Sequence, residues 1–111
     1  MKVANWTAME EVFVREGVTR KGFTGEGATL ALHTLQPGHE PKPHSHAYEQ
    51  IVYILSGKVK FHIEDNFTIL EEGGLLVVPP NVMHYAEVLG DEPVLNLDVF
   101  TPKRAEYDEQ G

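Results

Sequence analysis

The residues able to do chemistry in this chain of 111 residues lie in two short stretches. One is Gly38-His39-Glu40-Pro41-Lys42-Pro43-His44-Ser45-His46-Ala47-Tyr48-Glu49-Gln50, and the other is Pro79-Pro80-Asn81-Val82-Met83-His84. His44 and His46 stand one residue apart, His84 arrives from a distant segment, and Gln50 offers an amide oxygen. Three imidazoles and one oxygen form a donor set for a divalent ion that leaves coordination positions open. Such a set is neutral and leaves the ion's charge uncompensated. Hard, oxygen-preferring ions lose the carboxylate they favour, so Ni, Zn or Cu suits the site best, with Fe or Mn still open. The uncompensated charge also favours an anionic ligand.

Parity supports convergence of these donors. On extended backbone, side chains at even spacing share a face. His44, His46 and Gln50 then align with Val52 and Ile54, and His84 aligns with Ala86 and Val88. If both faces look into one barrel, the donors meet there and Val52, Ile54 and Ala86 wall the cavity. A turn between His46 and Gln50 would break the register. Glu49 competes as the oxygen donor, but its parity is opposite, and Gln50 is preferred. Gln50 also admits plainer readings, as a surface strand residue or as the mark of a lost metal site. A lone His-x-His pair is more often surface decoration, and the other histidines set that background. His39 in a turn and His62 on a polar strand face read as solvated.

A third stretch, Pro93-Val94-Leu95-Asn96-Leu97-Asp98-Val99-Phe100, alternates cleanly. Leu95, Leu97 and Val99 form one face, and Asn96, Asp98 and Phe100 the other. The residues alone leave two readings of Asp98: a proton-transfer group lining the pocket, or a solvated acid on the outer face. Arg104 likewise reads as a clamp for a substrate carboxylate, because guanidinium pairs bidentately with that group, or as an ion-pair partner of the acidic tail.

The elements that must position these groups are short strands. Turn signals recur at Gly17, Gly25, Pro37-Gly38, Ser56-Gly57, Asp65-Asn66, Gly73-Gly74 and Gly90-Asp91. Between them lie runs rich in Val, Ile, Leu, Phe and Thr, the pattern of an all-β sandwich or barrel. Val59-Lys60-Phe61-His62-Ile63-Glu64 alternates as a half-buried strand and leads through an Asp65-Asn66 turn into Phe67-Thr68-Ile69-Leu70. The apolar run Leu75-Leu76-Val77-Val78 before Pro79 predicts a strand buried on both faces. Residues 7–13, with Thr7 as N-cap and Glu10 three residues on, predict one short helix. Residues 104–111 form a polar tail. The chain is expected to be a single domain, with a barrel over about residues 28–100 and a strand or short helix before it.

Composition narrows the function classes. Charged residues are 23% and hydrophobic ones 41%, as in ordinary globular proteins. The net charge of −8 argues against nucleic acid or an anionic membrane as partner. With no cysteine there is no disulfide, thiolate ligand or thiol nucleophile. No signal peptide or membrane-length apolar run is seen, so a cytoplasmic location is expected. Small barrels leave sheet edges and apolar outer faces, which predicts a homodimer. Ile51, Tyr53 and Leu55, opposite in parity to Gln50, are candidates for that face or for packing under the N-terminal strand.

The two motifs resemble those of the cupin superfamily. There, glycine is followed after five residues by His-x-His, after three by a carboxylate, and after six by glycine. Gly38, His44, His46, Gln50 and Gly57 match, with glutamine in the carboxylate position. The second motif is matched by Gly73, Pro79 and His84, with Asn81 in place of a glycine and Val88 in place of an asparagine. The resemblance spans about residues 30–100. It implies a small antiparallel β-barrel of jelly-roll type, often dimeric, with His44, His46, Gln50 and His84 as metal ligands. Within that superfamily the chain is similar to the KdgF-type cupins, which convert 4,5-unsaturated monouronates into linear keto forms. That group has a late Asp-x-Phe-x-Pro-x-Arg segment, matched by Asp98, Phe100, Pro102 and Arg104. The resemblance implies that Asp98 and Arg104 are catalytic and substrate-binding and that Phe100 shapes the pocket. It implies metal-assisted isomerisation of a small anionic substrate, with Asp98 as base or proton shuttle. A non-catalytic sugar-binding cupin and a metal-dependent oxygenase are the other functions such a site supports.

Overall fold

The computed structural model describes residues 1–108, and among them the strands are β1 (Val12–Arg15), β2 (Val18–Thr24), β3 (Thr29–Leu35), β4 (Glu49–Ser56), β5 (Lys58–Ile63), β6 (Asn66–Leu70), β7 (Leu75–Val78), β8 (His84–Leu89) and β9 (Val94–Thr101). They form a six-stranded sheet in the order β1-β2-β3-β9-β4-β7 and a three-stranded sheet in the order β6-β5-β8. Every pairing is antiparallel. This is the all-β jelly roll expected from the short runs and regular turns.

Alternation decides what faces inward. Along β9, Val94, Asn96, Asp98 and Phe100 are buried, and the leucines and valine between them are half-buried. On β4, Gln50, Val52 and Ile54 are buried while Ile51 and Tyr53 are exposed. Val52, Ile54, Val59, Phe61, Val78 and Val94 join Val18 and Leu35 in one apolar cluster between the sheets. Burial of such side chains contributes about 1.5–3 kcal/mol each. The polar residues of β3, β4 and β9 occupy the same inward faces further along their strands, so one cavity is apolar at one level and chemically armed at another.

Three local expectations are corrected. Residues 7–13 are not a helix: Trp6–Ala8 form a single 3-10 turn, capped by the Asn5 side chain, which accepts from Thr7 N–H at 2.9 Å. Val12 and Phe13 then pair with β2, where β-branched and aromatic residues pack well. The β5–β6 turn is Glu64-Asp65, one residue earlier than expected, since Ile63 pairs with Asn66 and Glu64 takes a positive φ of 51°. Leu75–Val78 is not buried on both faces. β7 is a sheet edge paired only with β4, and Leu75 and Val77 are 66% and 53% exposed. Of the polar tail, Ala105–Tyr107 form a second 3-10 turn, and residues 109–111 lie outside the described residues.

Candidate metal centre and pocket

The first motif lies mostly in the loop between β3 and β4, which is stitched to the start of β8. His44 N–H donates to His84 O at 3.1 Å and His84 N–H to His44 O at 2.9 Å, an isolated antiparallel bridge. Asn81 N–H donates to His46 O at 2.7 Å, with Asn81 at φ 65°, a conformation asparagine tolerates better than most residues. Backbone pairing thus brings the two motifs together before any side chain is considered.

The three imidazoles converge. One ring nitrogen from each of His44, His46 and His84 lies within 4.8 Å of the other two. Each Nδ1–H donates to a nearby carbonyl: His44 to Lys42 O at 2.8 Å, His46 to Tyr48 O at 3.1 Å, and His84 to Val82 O at 2.8 Å. A hydrogen bond from one ring nitrogen fixes the tautomer and leaves the other as a lone-pair donor. His84 Nε2 is buried without a partner. His46 Nε2 faces Gln50 Oε1 at 3.0 Å, so this ring has acceptors at both nitrogens. A neutral imidazole satisfies only one of them, and a cation shared by Nε2 and Oε1 satisfies the second. Burial lowers the pKa of His44, and that of His84 to about 4, which keeps both rings unprotonated and able to ligate near neutral pH. The donor set therefore fits a divalent metal.

Gln50 is oriented by its neighbour. Its Nε2–H donates to Asp98 Oδ1 at 2.8 Å, which turns Oε1 toward His46. Gln50 pairs with Phe100 across the β4–β9 ladder, and Asp98 is its diagonal neighbour on the same inward face. A glutamate at position 50 would face this buried carboxylate as a like charge, whereas the amide bonds to it. The other Asp98 oxygen, Oδ2, lies 2.9 Å from His33 Nδ1 on β3. Asp98 is 3% exposed, so it lies on the pocket face and not on the outer one.

Arg104 follows β9, and its N–H donates to the buried Thr29 hydroxyl at 2.8 Å. Its guanidinium lies 4.8, 4.7 and 4.0 Å from the ring centroids of Tyr48, Phe100 and Tyr107, an aromatic cage that holds the cation at the cavity. Glu106 is near its Nε at 3.6 Å, so the residue has an acidic neighbour in the tail as well as a place in the pocket. Phe100 packs edge-on against His46 at 5.4 Å and joins the metal face to the cage.

His44, His84, Gln50, Asp98, Phe100 and Arg104 line one cavity of about 130 Å³. Its wall also holds Arg15, Arg20, His33, His39, Lys42 and Tyr107, which the sequence reading did not assign to a site. The signal for His33 was weak, because both faces of β3 are largely apolar and parity alone could not choose between them. His39 and His62 correct the expectation of solvated rings. His39 is 9% exposed, and His62 stacks on Tyr85 at 4.1 Å and pairs with Glu87.

Comparison with known proteins agrees with this architecture. The sequence pattern of the cupin domain (Cupin_2) matches residues 31–100. No curated protein sequence matches the chain. Among solved structures, an RmlC-like cupin from Shewanella frigidimarina superposes with a TM-score of 0.84 at 21% identity, over 94% of this chain and 93% of that one. KdgF from a Halomonas species gives 0.83 at 24% identity, over 92% and 95%. A predicted oxalate decarboxylase from Thermotoga maritima gives 0.77 at 20% identity, over 91% and 99%. At these identities the likeness speaks for the fold, and the motif match over most of the barrel speaks for the family: the chain belongs to the cupins.

Proposed function

We propose that the protein is a metal-dependent isomerase that converts a small unsaturated or enolisable acid, such as a 4,5-unsaturated monouronate, to its keto form. The observation that carries this reading is the charge of the cavity. In a chain of net charge −8, four of nine lysines and arginines (Arg15, Arg20, Lys42 and Arg104) line one cavity, and among the described residues Asp98 is the one carboxylate in its wall. A basic, partly enclosed cleft concentrates and orients an anion. His44, His46, His84 and Gln50 would hold the metal, which when bound supplies Lewis acidity toward the substrate's carboxylate and a neighbouring oxygen.

The chain's own groups account for the remaining steps. Arg104, held by its aromatic cage, binds the substrate carboxylate. Asp98 takes the proton from the anomeric hydroxyl as the ring C–O bond opens to an aldehyde and an enolate. A proton delivered to the adjacent carbon completes the ketone, so the net reaction is an isomerisation. His33, against the far oxygen of Asp98, gives that proton a second place to rest. Phe100 packs against the metal-facing histidine and keeps water from that side of the pocket.

The exposed cross-strand pairs Ile51–Val77 and Tyr53–Leu75 at the sheet edge support a homodimer through that face. Among the described residues, no helix is long and apolar enough to cross a membrane. The test is direct: metal-loaded protein with a 4,5-unsaturated monouronate, followed by loss of the ultraviolet absorbance of the enol ether. Loss that disappears in Asp98→Ala and Arg104→Ala supports the reading. No loss above background, with metal shown to be bound, overturns it and leaves a ligand-binding cupin.

A further inference from the structure

A group of polar residues in the cavity is not used by the reaction above. Arg15, at the end of β1, has its Nε buried without a partner. His39 is 91% buried, and neither ring nitrogen makes a well-formed hydrogen bond, the Glu40 backbone being the polar group near it. Its position is fixed by close packing on the β1–β2 turn, where a Cβ on Gly17 would stand 2.8 Å from His39 Cβ. Lys42, three residues on, lines the same cavity from the rim. Glu87, the acid whose charge reaches His39, is engaged by His62. Unpaired buried donors are costly, and several of them facing one cavity are best satisfied by an acceptor brought from outside.

The register places this group away from Arg104. Arg15 pairs with Val18, which pairs with Leu35 at one end of the β2–β3 hairpin. Arg104 bonds to Thr29, which pairs with Thr24 at the other end. The six steps from Val18 to Thr24 span about 20 Å at the usual rise per residue. Arg15 and Arg104 both line the one cavity, and they enter it from opposite ends of that hairpin. His44 lines the same cavity as both arginines.

We propose that Arg15, His39 and Lys42 form a second anion subsite, across the histidine triad from Arg104, so that the pocket takes a sugar-acid-sized ligand with an anionic group at each end. The inference deepens the proposed function, since it names the substrate class of the same site, but it predicts binding whether or not turnover occurs. Both carboxylate and phosphate suit the donor set.

The experiment is calorimetric titration of the metal-loaded full chain with galacturonate, galactarate and 6-phosphogluconate. These carry one carboxylate, two carboxylates, and a carboxylate with a phosphate. At least one doubly anionic probe should bind about tenfold tighter than galacturonate, the factor one added charge-assisted hydrogen bond supplies. Preference for galactarate assigns the subsite to carboxylate, and preference for 6-phosphogluconate assigns it to phosphate. The preference should collapse in Arg15→Gln, while Arg104→Gln weakens all three probes. If Arg15→Gln fails to fold, Lys42→Gln at the exposed rim must reduce the preference severalfold. Equal affinities for the three probes, or a preference that survives both the Arg15 and Lys42 substitutions, overturns the inference. Ketonisation without the preference removes only the subsite, and the preference without ketonisation removes only the isomerase reading.

Discussion

Replacing Asp98 by asparagine tests how the site orders its own oxygen ligand. In the wild type, Gln50 Nε2–H donates to a carboxylate at 2.8 Å, and only one orientation of the amide makes that bond. The flipped amide would set Oε1 against Oδ1, acceptor to acceptor, and aim the NH₂ group at His46. A hydrogen bond to a buried charged acceptor contributes about 1.5–3 kcal/mol, which is the bias that holds Oε1 toward the triad. Asparagine can meet either orientation of Gln50, because its own amide offers an acceptor on one side and a donor on the other. The bias vanishes, and so does a negative charge next to the metal position. At 1.4 kcal/mol per factor of ten, metal affinity should fall about 10- to 100-fold, in the range typical for removing a group that orients a ligand. Competition for Zn or Ni against a chromogenic chelator at fixed pH measures this, with circular dichroism as a control for folding. A folded Asp98→Asn protein whose affinity stays within about threefold of wild type would refute the claim that Asp98 orients Gln50.

Three further outcomes follow from the geometry. The His84 pKa of about 4 lies below the ordinary 6.5, so between these values the unfolded chain binds the proton and the folded one does not. The metal-free protein should therefore lose up to about 3 kcal/mol as pH falls from 6.5 toward 4, read as a falling urea midpoint that flattens in His84→Gln, whereas parallel pH profiles would contradict it. Gly57→Ala should cost at least about 2 kcal/mol, and clearly more than Gly38→Ala, in thermal melts. Both glycines have positive φ, but only at Gly57 would the new Cβ strike backbone, 2.7 Å from Pro93 O. Thr29→Val removes the buried hydroxyl that meets both Thr24 Oγ1 and Arg104 N–H at 2.8 Å. It should cost about 1–3 kcal/mol and weaken binding of a carboxylate ligand, while unchanged binding would show that Arg104 does not rely on that anchor.

Much of the fold was readable because alternation is a strong signal where one strand face is apolar. Parity grouped Gln50 with Val52 and Ile54, and Asn96 with Asp98 and Phe100, but which face of β9 turns inward is settled only by the burial along the strand. Leu75–Val78 misled because an edge strand that is apolar on both faces looks, in sequence, like a central one; only pairing tells them apart. Residues 7–13 carried a capping pattern, yet pairing of Val12 and Phe13 with β2 outweighed it. The motif spacing located the metal donors but not their surroundings. His33, His39, Arg15, Arg20 and Tyr107 come from β1, β2, β3, a loop and the C-terminal turn, and no local pattern links them. They meet because the sheet order continues from β9 through β3 and β2 to β1, a long-range fact.

The central claim is that His44, His46, His84 and Gln50 hold one divalent ion. A crystal of Zn- or Ni-loaded protein, with anomalous scattering recorded at the metal edge, tests it most directly. A single strong peak is expected about 2.0–2.2 Å from Nε2 of each histidine and from Gln50 Oε1, with the Asp98–Gln50 hydrogen bond intact. A metal bound elsewhere, held through Nδ1, or leaving Gln50 turned away would contradict it.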